Sequence, residues 1–376
     1  MKILYTCTYS AGISGVWNRV YNLAKEMLKK GHKVYVFSSN FEAGTLKQAK
    51  EHEKIDGIEI YRFKAKKFGS TNAFIYDAEK LRQKLNEIMP DVVDCQTYRH
   101  AEGNIISKEC IKLKIPCFLT THAPFVPLKL RGIKLSLFTF FYDFFLGRNI
   151  LKRFRRIIAI AKWEYPYLKE LGIKKNIEYI PNGIPQEFFK FKQGKESDII
   201  LFFGRVAPIK DLETLIRAMK LLENEKIKLQ IVGPAEKEYE KALYSLMKEL
   251  DMKNVEFKPA VYDVNKKIKA IDSCKIFVLP SKREALPQSL LEAMSRGKIV
   301  ISSKTQGGLE LIKEGKNGFL FDIGNEKWLA DKIRYCIRNY KKLKNVQKNA
   351  KKFAFAFSWK IMSSKLEKLY KRFILV

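Results

Sequence analysis

The sequence predicts an α/β protein made of two doubly wound halves in tandem, and three observations predict it. Short apolar, β-branched runs alternate with longer segments of helical period along the chain, the pattern of β-α-β units on a parallel sheet. A length of 376 residues exceeds one ordinary core and suits two. The alternation breaks at the polar stretch Lys190 to Ser197 and then restarts. These observations place the domains at 1–190 and 191–357, with a last helix from 358 to 376.

In order along the first half, "KILYTCTY" reads as a strand, because a buried parallel strand is apolar on both faces. "WNRVYNLAKEMLKKGH" follows as a helix: Val20, Leu23, Met27 and Leu28 recur at helical spacing, and Gly31 is placed to end it. "KVYVFSS", "IEIYRF", "DVVDCQ", "PCFLTTH" and "RIIAIA" are further strands. Beyond the Pro-Asn-Gly turn of "IEYIPNGIP", "DIILFFGRV" restarts the pattern. The second half continues with strands at "IKLQIVG", "VEFKPA", "IFVLPS", "KIVISS" and "GFLFD". Its helices fall at "DLETLIRAMKLL", "YEKALYSLMKEL", "PQSLLEAMSRG" and "NEKWLADKIRYCIRNY". Such halves bind ligands in the crevice at the carboxyl ends of their strands.

Composition narrows the function classes. Cys7, Cys95, Cys110, Cys117, Cys274 and Cys336 are scattered, with no C-x-x-C pair and no metal-ligand cluster, as in a reduced cytoplasmic chain. The opening "MKILYTCTYSAGISG" lacks the parts of a secretory signal. No run approaches the ~18 apolar residues that cross a bilayer. The 72 Lys and Arg against 40 Asp and Glu give a net charge of +32, which draws the chain to polyanions. A Lys-rich, thermophile-like proteome accounts for the same excess.

The chemistry-bearing residues sit at loop and helix starts. In "REALPQSLLEAMSRGK", Pro287 suits the first helical turn and pushes Leu286, the residue before it, toward extended geometry. Glu284 then lies on the loop leaving "IFVLPS", and Glu292 lies more than a turn inside the helix. Two carboxylates so placed can accept hydrogen bonds from hydroxyls at two ends of one polyol, while the helix start offers free N–H groups. The alternative is an exposed Glu284 and a Glu292 paired with a nearby lysine. In "GRVAPIKD", Arg205 and Lys210 stand five apart on a loop between strand and helix, a pair of cations suited to a diphosphate. Near the start, Gly12, Ser14 and Gly15 occupy a phosphate-cradling context without a full G-x-G-x-x-G.

With "IPNGI", "IVG" and "VLPSKREALPQSLLEAMSRGKIVISSKTQGGLELIKEGKNGFLFD", these stretches resemble the family 4 glycosyltransferases, and Glu284 and Glu292 match that family's E-x7-E motif. The resemblance implies the GT-B fold: two Rossmann-like domains facing across a cleft, with the C-terminal helix crossing back to the N-terminal domain. It implies a retaining, metal-independent transferase that uses a nucleotide sugar, with 191–357 binding the donor and 1–190 the acceptor. Arg205 and Lys210 would bind the diphosphate, Glu292 the ribose, and Glu284 the transferred sugar, helped by backbone amides around Leu286, Pro287 and Gln288. Gly15 would let the first loop approach the phosphate. His122, in "TTHAPF", matches a family histidine near the donor sugar, and no cofactor or metal is expected.

Three departures bear on the donor's identity: Ser14 where a second glycine is frequent, "KD" at 210–211 in place of "KG", and Leu-Pro after Glu284 and Ala285 where many members have Phe-Gly. No D-x-D occurs. His32 reads as structural, and Tyr98 and His100 as candidates for the acceptor side. The acceptor class stays open among glycan, lipid-linked and small-molecule hydroxyls. Residues 128–157 hold eight Lys and Arg against the single acid Asp143, around a dense group of aromatics. That composition suits an interfacial segment on anionic lipid at the inner face of the cell membrane; the alternative is a helix burying its aromatics against the sheet. "YRFKAKKFG" at 61–69 is a second basic-aromatic stretch. The rival classes are a basic nucleic-acid-binding protein and a catalytically silent sugar-binding relative.

Overall fold

The structure is a computed structural model describing residues 1–12, 14–45, 47–68, 73–125, 132–190 and 194–374. Residues 128–131 of the basic-aromatic segment, Gly69 of the second, and 191–193 of the expected domain junction lie outside the described residues. The chain divides into two compact units, Met1–Asn182 with Trp359–Val376, and Gly183–Ser358.

Among the described residues the first unit holds ten strands: β1 (Lys2–Thr6), β2 (Lys33–Ser39), β3 (His52–Ile55), β4 (Ile58–Phe63), β5 (Ala65–Phe68), β6 (Ala73–Tyr76), β7 (Val92–Gln96), β8 (Cys117–Thr120), β9 (Arg156–Ala159) and β10 (Ile177–Tyr179). Eight form one sheet in the order β10-β9-β8-β7-β1-β2-β4-β3, and β5 and β6 form a separate hairpin. Only β3 runs antiparallel to its neighbour in the large sheet, at its edge. The sheet reverses direction of growth between β1 and β7, so the loops leaving those strands flank its switch point.

The helix Trp359–Ile374 returns to this unit. Trp359, Met362 and Leu366 bury themselves with Ile3 and Val20, and Tyr370 Oη donates to Asp94 Oδ2 at 2.6 Å. Lys30 Nζ donates to Glu367 Oε2 at 2.8 Å, clasping the helix to Gly15–Lys29. His32 lies 3.2 Å from Glu367 at the same joint, the structural place expected of it.

The second unit holds β11 (Ile199–Phe203), β12 (Lys228–Val232), β13 (Val255–Lys258), β14 (Ile276–Leu279), β15 (Ile299–Ser303) and β16 (Phe319–Phe321), all parallel, in the order β13-β12-β11-β14-β15-β16. Counted from its own first strand this is the Rossmann order, with its switch point between β11 and β14. The boundaries fall at 182/183 and 358/359, not at 190/191 and 357/358. The reason is packing: Ile184 and Phe188 are fully buried in the second unit's core, and Ile184 N donates to Phe357 O at 2.7 Å. All six cysteines are free and buried. Among the described residues no helix is long and apolar enough to cross a membrane.

Candidate functional site

In the second unit the loops leaving β11 and β14 flank the switch point, and they carry the residues singled out from sequence. The first loop, Gly204 to Asp211, is held by its neighbours' backbones. Gly204 N donates to Val232 O at 3.0 Å and Val206 N to Pro234 O at 2.8 Å, while Lys282 N reaches back to Ile209 O at 2.9 Å. Asp211 ends the loop in a left-handed conformation, φ 52°, a region that glycine occupies without strain. Its carboxylate accepts from Thr214 Oγ1 at 2.8 Å and pairs with Lys282 at 3.3 Å. The aspartate in "KD" thus takes the backbone shape that a glycine would take in "KG".

Lys210 and Glu284 meet across the two loops, with Nζ 2.6 Å from Oε1. Ser281 Oγ donates to the same oxygen at 2.7 Å. The side chains are 20% and 12% exposed, so Glu284 is not the exposed residue of the alternative reading. Glu284 is fixed from behind as well, because Gly307 N donates to its carbonyl at 3.1 Å. A Cβ at Gly307 would sit 2.7 Å from Pro287 Cδ and 2.8 Å from Ala285 O, so that close seat requires glycine.

The helix Gln288–Ser295 begins at Pro287, as its N-terminal signal predicts. Gln288 Nε2 donates to Gly183 O at 3.0 Å, and Leu286 and Pro287 are buried. Glu292 is buried within the helix, and here the sequence alternative is half right: Lys267 Nζ lies 2.5 Å from its Oε2. That approach is a charge contact without hydrogen-bond alignment, and Oε2 has no hydrogen bond. Lys267 also lies over the Phe203 ring at 5.0 Å, which puts this pair at the carboxyl end of β11. Arg205 is the outlier. It is 62% exposed and donates to Glu236 at 3.1 Å. Among the described residues no hydrogen bond or ion pair joins Arg205 or Glu292 to the Lys210 and Glu284 pair.

In the first unit the switch-point loops are tied by side-chain hydrogen bonds and by an ion pair, Arg99 with Asp143. Gly12 and Gly15 differ in kind. Gly12 has φ 74°, and a Cβ there would meet Ala43 O at 2.6 Å; a Cβ on Gly15 would meet nothing within 4 Å. Gly15 opens the helix Gly15–Lys29, whose cap is Ser14, accepting from Trp17 N at 3.4 Å. On the other side, Thr8 Oγ1 donates to Glu102 Oε1 at 3.0 Å, which leaves His100 Nδ1 to donate to Thr8 at 2.8 Å. Tyr98 and Arg99 face Asp143: Tyr98 Oη donates at 2.8 Å, and Arg99 grips both carboxylate oxygens at 3.0 and 2.6 Å.

His122 follows β8 and has φ 57°; Ala123 after it has φ 52°. Two successive left-handed residues without glycine need outside support, and Glu164 supplies it. Its Oε2 accepts from Thr121 Oγ1 at 2.5 Å and Ala123 N at 3.0 Å, while Oε1 accepts from Ile160 N and Ala161 N at 2.9 and 3.0 Å. His122 Nε2 lies 2.9 Å from Gln96 Oε1. Burial, then the nearby Arg19 and His100, hold its pKa well below the ordinary histidine value, so the ring is neutral at pH 7.

Sequence reasoning missed Ser281, Lys267, Gln96 and Glu164 as partners of site residues. Ser281 had a local signal, three residues before Glu284. The others come from distant segments and have none.

Comparison with known proteins follows the same division. The family model described as "Glycosyltransferase Family 4" matches residues 13–188, and the one described as "Glycosyl transferases group 1" matches residues 184–353. The chain is 27% identical over 244 residues to the N,N'-diacetylbacillosaminyl-diphospho-undecaprenol alpha-1,3-N-acetylgalactosaminyltransferase of Campylobacter jejuni, covering 64% of this chain and 63% of that protein. It is 26% identical to an uncharacterized glycosyltransferase of Methanocaldococcus jannaschii, over 99% of this chain and 98% of that one. The solved structure of Anabaena HepE in complex with UDP-glucose superposes with a TM-score of 0.75 at 20% identity, over 99% of this chain and 100% of that one. That likeness establishes the fold.

Proposed function

The chain belongs to the family 4 glycosyltransferases, and from that premise we propose that it moves a sugar from a nucleotide-sugar donor to an acceptor hydroxyl, with retention of configuration and without a metal. The observation that carries this reading is the Lys210 and Glu284 pair at the second unit's switch point, where α/β sheets bind their ligands.

In this reading Lys210 exchanges part of its contact with Glu284 for a diphosphate oxygen, and Glu284 turns its carboxylate to hydroxyls of the transferred sugar. Arg205, exposed and held by one surface partner, swings onto the same diphosphate. The anomeric C–O bond breaks with its electron pair leaving on the diphosphate, and the two cations stabilise that growing charge. The acceptor oxygen attacks the oxocarbenium-like carbon from the face the diphosphate leaves, and its proton passes to the departing phosphate oxygen. Glu292 accepts from ribose hydroxyls in exchange for part of its contact with Lys267. Backbone amides at Leu286 and Gln288 add donors; Pro287, between them, has none and serves to start the helix. In the first unit, Gly15 admits the phosphate to the backbone, and neutral His122 offers a polar contact to the donor sugar without adding charge. The absence of any D-x-D in the sequence supports charge neutralisation by side chains.

The acceptor is a glycan, a lipid-linked glycan or a small molecule, and the C. jejuni relative, whose name carries a diphospho-undecaprenol, favours the lipid-linked class. Such an acceptor places the chain at the inner membrane face. Incubation with nucleotide sugars and a chelator, with NMR of the product's anomeric coupling, tests the chemistry. The expected product keeps the donor's anomeric configuration. An inverted product, or transfer only with a divalent cation, would refute it.

A further inference from the structure

The helix Ile133–Tyr142 and the π-helical turn Asp143–Gly147 that continues it are arranged inside out. A surface helix of a globular protein turns its apolar stripe inward. Here the inward positions are Thr139 and Gly147, both buried, with Ser136, Tyr142 and Asp143 half-buried. Nine large apolar side chains between Ile133 and Leu146 face outward, with Phe138, Phe140 and Phe145 more than 60% exposed. The hydroxyls on the inner side bond within the segment: Ser136 Oγ to Gly132 O at 2.7 Å, and Thr139 Oγ1 to Ser136 O at 3.0 Å.

The orientation is fixed by polar anchors. Asp143 is held by Arg99 and Tyr98, and a Cβ at Gly147 would lie 2.1 Å from Tyr98 Oη. Turning the aromatics inward would break the bidentate ion pair and drive Gly147's neighbours into Tyr98. The same anchoring removes the segment's one negative charge from its outer side, since Asp143 is the single acid from 128 to 157. What remains beside the aromatics is cationic: Arg148 lies over the Phe144 ring at 5.5 Å, and Lys152 and Arg155 are exposed just beyond.

We propose that the outward face of Ile133–Leu146 is a docking surface for an anionic lipid bilayer, its phenylalanines entering the headgroup and acyl boundary while Arg148, Lys152 and Arg155 meet lipid phosphates. Aromatic bulk bordered by cations is the composition that interfacial segments require, and the lack of any outward carboxylate within it matches a negative partner. The inference deepens the membrane-side reading of the acceptor. Through Asp143 the docked segment is joined to the loop Thr97–His100 that follows β7, so a lipid-linked acceptor would arrive beside the first unit's switch point.

The test is sedimentation of the full chain with vesicles of phosphatidylcholine alone and of an equimolar mixture with phosphatidylglycerol, at low and high salt. The chain is expected to pellet with the mixed vesicles and to release partly as salt rises, because the charged contribution is screened. A variant carrying Phe140→Ser, Phe141→Ser, Phe144→Ser and Phe145→Ser is expected to lose binding at least about tenfold while keeping its melting temperature and its donor binding. A single Phe141→Trp chain supplies a second reading, an emission blue-shift on mixed vesicles only. Equal sedimentation of wild type and the serine variant, or no blue-shift, overturns the proposal. So does concentration-dependent self-association that the serine variant abolishes, which would make a second copy the occupant. None of these readings uses sugar transfer, so their failure leaves the proposed chemistry intact, and inactivity with intact vesicle binding would count against the chemistry alone.

Discussion

The two switch points are built differently. In the second unit, charged side chains face one another, Lys210 with Glu284 across two loops and Lys267 with Glu292 between two helices. In the first unit the corresponding loops are shaped by hydrogen bonds and unusual backbone: Gly12 against Ala43, Thr8 against His100, and a left-handed His122 braced by Glu164, while the ion pair of Arg99 with Asp143 anchors the helical segment that follows. The contrast teaches a division of labour. Charges held in readiness suit a ligand whose own charge changes during reaction, whereas a rigidly braced backbone suits recognition of shape.

That contrast can be broken most forcefully at Lys210. Lys210→Ala should lower kcat/KM by about 10²–10³-fold if the cation stabilises a leaving diphosphate, measured against the same donor and acceptor as wild type. An effect confined to KM would reduce Lys210 to a binding group. Next in size is Glu292→Gln, expected to weaken donor binding about 10–100-fold, the worth of hydrogen bonds to a charged acceptor, as read by calorimetry without acceptor present.

In the first unit the expected effects concern shape. Gly12→Ala should destabilise by about 1–3 kcal/mol, because φ 74° and the clash with Ala43 O resist any side chain. Gly15→Ala should leave the melting temperature unchanged or raise it, since alanine is the better helix former, yet still weaken the donor. A matching stability loss at both glycines would erase the distinction between them.

The smallest effect is in pH dependence. His122 has a depressed pKa in the folded chain, so the unfolded chain takes up that proton first. Its contribution to stability is therefore full above the unfolded value of about 6.5 and is lost as pH falls below it. Melting temperature against pH should fall less steeply below 6.5 in His122→Asn than in wild type; parallel curves would contradict the assigned environment.

Much of this fold was legible because parallel strands buried on both faces write continuous apolar runs, as "IILFF" and "IFVL" do. The strand β3, "HEKI", escaped because an edge strand with alternating exposure carries charge and resembles a loop. At the site, Glu284, Lys210 and the helix start at Pro287 were readable from local turn chemistry. Lys267 was not, since its meeting with Glu292 depends on how separate helices pack. Nor did sequence decide the aromatic segment. Composition alone fits a buried helix as well as an exposed one, and contacts with the distant Tyr98 and Arg99 fix which side faces out.

The central claim is that the loops leaving β11 and β14 hold a nucleotide sugar. Its most direct measurement is the melting temperature of wild type, Lys210→Ala and Glu292→Gln chains against a panel of UDP-, GDP- and ADP-sugars in chelator, since a ligand that binds the folded chain stabilises it. At least one sugar nucleotide should raise the wild-type value and raise it less in both variants. No response from any donor in wild type, or equal responses in all three chains, would contradict the account.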